Sequence, residues 1–351
     1  MSTKRFPDAP RAPKPVGPPL TTLFSDSRGR KAFLRYWLLD PLLGGIGLAM
    51  HFLFRLVLPK TASKFGAFGG RVVRKLIEDD DIEAYFKRVF LRIDPELDHD
   101  PARLAAISTE WWQSVGRTYA DYSHVDRLYD RGLVAVEGRE HLEAARASGR
   151  PLIFVSVHLG NFELLGDLLL VGKLGVHGLG IYQPQPNRFE NKVLDIVRRR
   201  YDGVCLPPGQ ASAVYLMRHI HDGENALIFI DDVADNQIHL PLFGRPVPTR
   251  SNAVKAVKLA LSVDGLLVPV HNLRENDGRF RVTFGTAIEP LDGASRSERI
   301  ERTIRWFSDY FEPLVRAHPE QWFMAHSVRF RAGDRECEIS ARAGASHSAP
   351  V

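Results

Sequence analysis

Cysteine is nearly absent: the 351 residues hold two, Cys205 and Cys337. Two thiols so far apart supply neither a disulfide framework nor a zinc site, which suits a catalytic domain facing a reducing compartment. Thirteen histidines are present, but no His-Glu-x-x-His and no Cys/His ligand cluster, so neither metal nor other cofactor is expected. A Gly-x-Ser-x-Gly elbow is missing, and Cys205 in Gly203-Val-Cys-Leu-Pro207 has no histidine near it in sequence, which disfavours covalent nucleophilic catalysis. Zinc fingers, aromatic-basic RNA signatures and helix-turn-helix patterns are also missing. The formal charge of +5 therefore suits an anionic partner, but not nucleic acid. No internal repeat is visible, and the start lacks the apolar core and small-residue cleavage site of a secretory signal.

What is there is ordinary for one large domain with appendages: 44% hydrophobic and 25% charged residues. Residues 1–31 carry six prolines, Pro7 to Pro19, among Lys4, Arg5, Arg11 and Lys14, and read as a mobile basic tail. Residues 32–60 hold the apolar run Leu42 to Leu58, closed by Pro59. As a helix it is about 25 Å long, short of a hydrocarbon core of roughly 30 Å, and His51 and Arg55 add a penalty. Basic residues flank it on both sides, so charge does not orient it. It reads as a membrane anchor, with spanning and interfacial placements both open. Residues 61–330 form the catalytic domain, and 331–351, rich in Ala, Ser and Gly, a disordered tail.

Within the domain, residues 72 to 130 read as helical, with Asp79-Asp80-Asp81 suiting a helix start. Strands are expected at 134–136, 152–157, 178–182, 226–230 and 266–270. Helices are expected at 187–200, 211–221 and 252–263. The alternation argues for an α/β fold, a mixed sheet flanked by helices behind an N-terminal membrane-associated helix.

The most informative stretch is Ser156-Val-His158-Leu-Gly160-Asn161-Phe-Glu163. On one unbroken helix, residues five apart diverge by about 140°; a bend at Gly160 is needed to bring His158 and Glu163 together. The apolar run Pro151 to Val157 reads as a buried strand, and Asn161 as the cap of a helix in whose first turn Glu163 is held ionised. An ionised carboxylate that binds one imidazole nitrogen leaves the other free to take a proton. The same residue types also fit a buried histidine and a plain helix-start acid.

The stretch His158-Leu-Gly-Asn-Phe-Glu163 resembles the His-x4-Glu/Asp signature of the bacterial lipid A late acyltransferases and, more loosely, of glycerolipid acyltransferases. Tyr182-Gln183-Pro184, Asn187, Asp195 and Arg198-Arg199-Arg200 follow the family's spacing. So do Ala226 to Asp231, Leu240-Pro-Leu-Phe-Gly244 and Pro319-Glu-Gln-Trp322. Gln183 stands where the family usually carries Arg, and the family's Asp-Gln pair is here Asp231-Asp232. Related mannoside acyltransferases of phosphatidylinositol share the dyad, which keeps a neighbouring glycolipid acceptor open.

The resemblance implies a glycerolipid-acyltransferase-like fold and transfer of a fatty acyl chain from acyl carrier protein to a hydroxyl of a lipid A precursor. His158 would be the base and Glu163 its orienting acid. Arg198 and Arg200 are candidates for gripping phosphate or the reacting carbonyl, Asn187 and Tyr182 for lining the acceptor cleft, and Asp231 for holding an arginine or shaping the pocket. Gly244 is a candidate oxyanion amide. Twelve buried methylenes hold a chain in a bilayer by about 9 kcal/mol, so the enzyme must come to the membrane. The expected place is the bacterial inner membrane, with the active site on the cytoplasmic side, an anionic glycolipid as acceptor and acyl carrier protein as partner. The alternatives are another glycolipid or a lysophospholipid as acceptor, or a non-catalytic lipid-binding protein of this fold.

Overall fold

Short apolar runs bounded by turn residues build the centre of the protein, a seven-stranded sheet. The computed structural model describes residues 6–185, 187–234 and 237–328, so the expected tail at 331–351 lies outside the described residues. The strands are β1 (Val134–Glu137), β2 (Leu152–Ser156), β3 (Gly178–Ile181), β4 (Val204–Leu206) and β5 (Asn225–Phe229). A separate antiparallel ribbon, β6 (Val233–Ala234) and β7 (Gln237–Ile238), precedes β8 (Leu266–Arg274) and β9 (Phe280–Phe284). The sheet order is β1-β9-β8-β2-β5-β3-β4. Every neighbouring pair is parallel except the β8–β9 hairpin.

Helices precede and punctuate the strands. Before the sheet come α1 (Ser27–Leu34), a π-helical turn at Arg35–Leu39, α2 (Asp40–Arg55), α3 (Pro59–Ile77), α4 (Asp80–Ile93), α5 (Pro101–Asp121) and the short α6 (Val125–Leu128). Between strands lie α7 (Arg139–Ala147), α8 (Glu163–Leu169), α9 (Arg188–Arg200), α10 (Gln210–His221) and α11 (Asn252–Val263), and α12 (Arg296–Ala317) follows the last strand. Asp79 caps α4 by accepting from the Ile82 N–H at 3.0 Å, as its acidic start suggests.

All five residues of β2 are buried. Its alternate side chains serve opposite faces of the sheet. Ile153 and Val155 join Ile228, Leu267, Phe307 and Trp322 on one side. Leu152 and Phe154 join Leu164, Leu168, Val268 and Phe284 on the other. The result is the expected mixed sheet between helical layers, with an apolar N-terminal helix in front of it. Strands β4 and β9 and helices α7 and α12 were not among the sequence expectations; three-residue β4 carries too little pattern to recognise.

The proline-rich start departs from expectation. From Phe6 onward it packs on the domain: Phe6 is buried with Leu179, Val204 and Leu206, and meets His219 edge-on at 5.2 Å. Tyr36 donates to the Pro15 carbonyl at 3.1 Å, and the Trp37 indole to that of Pro18 at 3.0 Å. A proline segment has few N–H groups of its own to satisfy but keeps its carbonyls as acceptors, which two aromatic donors here engage.

Candidate active site

The site lies where the parallel strands β2 and β5 end. Their register pairs Ser156 with Phe229, and the Ile230 N–H donates to the Ser156 carbonyl at 2.9 Å. Two residues beyond each strand end, the same register brings His158 against Asp231. The imidazole Nδ1 lies 2.7 Å from Asp231 Oδ1, and the His158 backbone N–H donates to Oδ2 at 2.8 Å. The Trp322 indole donates to Oδ2 at 2.9 Å. Three donors thus converge on one fully buried carboxylate (0% exposed), while the imidazole keeps 21% of its side-chain surface open. A carboxylate only accepts, so the Asp231 bond places the neutral ring's proton on Nδ1 and leaves Nε2 as the proton acceptor. Carboxyl ends of parallel strands are where α/β sheets place ligands.

The expected partner of His158, Glu163, is bonded elsewhere, and among the described residues no hydrogen bond joins the two. Glu163 begins α8 and is buried. Arg198 Nε donates to Oε1 at 2.8 Å and Nη2 to Oε2 at 3.1 Å, and the Tyr201 hydroxyl donates to Oε1 at 2.7 Å. Burial by itself raises a carboxyl's pKa, but the Arg198 charge and hydrogen bonds, the Tyr201 hydroxyl and the nearby His158 outweigh it and hold Glu163 below the ordinary value. The physical reason for the exchange of partners is reach. The turn at Gly160, whose φ is +56°, sends Glu163 toward α9, while register delivers Asp231 to the ring.

That turn is fixed from three sides. A Cβ on Gly160 would stand 2.8 Å from the Asn272 carbonyl oxygen, so glycine is required there by both space and conformation. The Gly160 N–H donates to the Gln321 carbonyl at 3.1 Å, and the Thr118 hydroxyl to the Gly160 carbonyl at 3.2 Å. The closing motif Pro319-Glu-Gln-Trp322 therefore acts here, with Gln321 holding the turn and Trp322 holding the acid. Asn161 does not cap α8 as expected. Its side chain is buried without a hydrogen bond, and the helix starts from Phe162 with no side-chain cap.

The remaining candidates divide. Arg198 uses two guanidinium nitrogens on Glu163 and lies over the Tyr182 ring at 4.8 Å, so it is a structural partner of the dyad's acid and not an open grip for substrate. Arg200 faces away, its Nη1 3.0 Å from His51 Nε2 on α2. Asn187 caps α9, accepting from the Phe189 N–H at 2.8 Å. Asp232, the extra negative charge, accepts from the Asn252 N–H at 2.9 Å at the start of α11. Gly244 sits at an exposed left-handed turn with φ +76°, and a Cβ there would meet nothing within 4 Å. Such open surroundings supply no wall for an oxyanion pocket, which needs water excluded. Cys205 is half-buried; desolvation pushes its thiol up to about 11 against the pull of Arg198, and such a thiol is a poor nucleophile.

Aromatic rings line the base. Phe229 stacks on His158 at 4.3 Å and Phe162 meets it edge-on at 4.6 Å. From Phe162 the rings continue to Phe323 at 5.2 Å and on to the exposed Tyr119 at 6.2 Å. Sequence reasoning did not single out Tyr201, Phe229 or the indole of Trp322 for these roles; only Trp322 carried a signal, through the closing motif.

Residues 32–331 match the family described as bacterial lipid A biosynthesis acyltransferase. Phosphatidylinositol mannoside acyltransferase of Mycobacterium tuberculosis is 22% identical over 240 residues, covering 67% of this chain and 72% of that protein. Lipid A biosynthesis acyltransferase of Haemophilus influenzae is 23% identical over 187 residues, covering 53% of this chain and 55% of that one. The imidazole of His158 is thus partly exposed, flanked by aromatic rings and backed by a buried carboxylate. With a match across most of its length, the chain belongs to the bacterial lipid A biosynthesis acyltransferases.

Proposed function

We propose that this protein transfers a fatty acyl group from acyl carrier protein to a hydroxyl of a lipid A precursor, at the cytoplasmic face of the inner membrane, with His158 as general base. The observation that carries the reading is the 2.7 Å contact between His158 Nδ1 and a wholly buried Asp231 carboxylate. The acceptor hydroxyl gives its proton to Nε2 as its oxygen bonds to the thioester carbonyl carbon. The tetrahedral intermediate then breaks its C–S bond, and the departing thiolate recovers the proton from Nε2. Asp231 orients the ring and stabilises the imidazolium between the two steps. No acyl-enzyme is required. Glu163, locked to Arg198 and Tyr201, joins α8 to α9 and is a positioning residue, holding the turn that carries His158 and Phe162.

Purified protein supplied with acyl carrier protein loaded with a fatty acid and with a lipid A precursor should acylate it. His158→Ala should lose at least about 10²-fold in rate, the lower range of general-base assistance. An unchanged rate would remove His158 from the mechanism. The Mycobacterium relatives favour a second acceptor, a phosphatidylinositol mannoside. Offering both acceptors in the same assay decides between them, and exclusive use of the mannoside would replace the lipid A precursor as substrate.

A further inference from the structure

We propose that the outward faces of α2 and α3 enter one leaflet, forming a docking surface for an anionic phospholipid bilayer, and that Ser27–Arg55 does not cross it. The inference deepens the function proposed above, since it rests on a lipid substrate, and concerns how that substrate is met.

Length does not decide the question. The continuous helical run Ser27–Arg55 has 29 residues and is apolar enough to cross a membrane; at 1.5 Å per residue it spans about 44 Å. What decides is its inner face, fastened to the domain along all of α2. At the start Asp40 is buried, and a Cβ on Gly44 would overlap the Phe189 ring of α9. At the end Arg55 donates to both Asp126 carboxylate oxygens at 2.8 Å and to the Ser123 carbonyl at 2.7 Å. Between them His51 is buried against Arg200. The two polar residues that count against a membrane helix therefore point into protein. A perpendicular crossing would drag α9, with Arg188, Glu190 and Arg200, into hydrocarbon, where charged side chains are strongly disfavoured.

Both helices turn large apolar side chains outward. Leu42, Ile46 and Leu53 on α2 are exposed. On α3, Phe65, Phe68, Val72 and Leu76 are exposed, Leu76 by 77%. Their spacing makes a single helical stripe. The opposite face of α3 is made of small residues: Gly66 and Gly70 are buried, and a Cβ on either would strike the backbone of α5. The helix thus presses one side onto the domain and turns large apolar groups outward.

Charge identifies the occupant. α3 carries Lys60, Lys64, Arg71, Arg74 and Lys75 and no acid. Arg74 pairs with Glu78, and the other four form no ion pair among the described residues. A second copy docking about a twofold axis would set this stripe's cations against the same cations. Anionic headgroups complement them, with the apolar stripe entering below the headgroup level. Exposed Tyr119 sits on α5 one residue before buried Ala120, which abuts the inner face of α3 at Gly66. From Tyr119 the ring path leads to His158.

The test uses full-length protein diluted from detergent onto sealed vesicles of phosphatidylcholine alone or mixed with phosphatidylglycerol. Wild type should prefer the anionic vesicles; equal binding to both would overturn the choice of an anionic surface. Phe68→Glu with Leu76→Glu should weaken anionic-vesicle binding at least about tenfold with unchanged circular dichroism, whereas Phe68→Leu with Leu76→Met should bind like wild type. Wild-type binding by the double glutamate variant overturns the surface. If that variant instead only converts a detergent-solubilised dimer to monomer, the face belongs to a second copy. In protein with Cys205 and Cys337 changed to Ser, single cysteines at Ser27 and Asp222 should both react with an impermeant maleimide added outside. Protection of the Ser27 position until the vesicles are opened means that the helix crosses. His158→Ala should dock as wild type in every arm, so unchanged acyl transfer in that docked variant would sink the proposed function alone.

Discussion

Asp231 and Glu163 are two buried acids at one loop, and they differ in what neutralises them. Asp231 lies two residues past the end of β5, 73 residues from His158, and receives three neutral donors, one of them the imidazole. Glu163 is five positions from His158, and is matched by a full positive charge on Arg198. A carboxylate already satisfied by a guanidinium fork has little left to offer a histidine, whereas one held by an indole and a backbone N–H keeps its attraction for a developing imidazolium. Nearness in sequence made Glu163 the obvious partner. Nearness in the sheet makes Asp231 the actual one.

The sharpest way to break this comparison is to neutralise each acid in turn. Asp231→Asn should reduce kcat by about 10²- to 10⁴-fold, since an amide cannot hold the required tautomer, and should leave the acceptor KM near that of wild type. Glu163→Gln should reduce kcat less. If the glutamine variant is the slower of the two in single-turnover assays, Glu163 swings onto His158 when substrate binds, and the roles are reversed.

Stability should give the opposite ranking. Glu163→Gln strands the Arg198 charge in a buried site, and breaking such a pair destabilises by about 3–5 kcal/mol. Thermal or urea unfolding should report that loss, and adding Arg198→Met should recover part of it. A glutamine variant as stable as wild type would mean that the Arg198 pair is not buried as described. Trp322→Phe removes one donor from Asp231 and should reduce kcat roughly tenfold, equivalent to about 1.4 kcal/mol, in line with an unsatisfied buried acceptor. No effect on kcat would show that the indole is packing alone.

Stability should also depend on pH. Burial, with Arg127 beside it, lowers His124 to about 4, and burial lowers His271 to about 4. Both are neutral in the fold, while the unfolded chain titrates near the ordinary 6.5. The unfolded state therefore binds more protons between those values, so stability holds above about pH 6.5 and declines as the pH falls toward 4. Denaturation midpoints measured from pH 7.5 to 5 should follow that slope, and His271→Asn should make it shallower. A flat profile would contradict the burial of these rings.

Much of the fold was legible because it is local. The runs 152–157, 226–230 and 252–263 give their elements away by length, branching and capping residues, and the observed β2, β5 and α11 fall within a residue of those bounds. The apolar N-terminal helix was legible by composition, but not its extent, since the π-helical turn at Arg35–Leu39 continues it upstream. The packed start at Phe6 was illegible, because its stabilising donors and apolar contacts come from Tyr36, Trp37 and β3–β4, outside the segment itself.

The site divides in the same way. Sequence by itself determined that a histidine follows a buried strand, that a glycine turn comes next and that an acid opens the following helix. It also marked Asp231, as a holder of an arginine or a shaper of the pocket, and Trp322, within the closing motif, without pairing either with His158. Only the tertiary structure decided which acid serves the ring, because that depends on β2 lying beside β5 in a register that pairs Ser156 with Phe229. Strand adjacency is a long-range choice made by burying both faces of a sheet, and no short window of residues contains it.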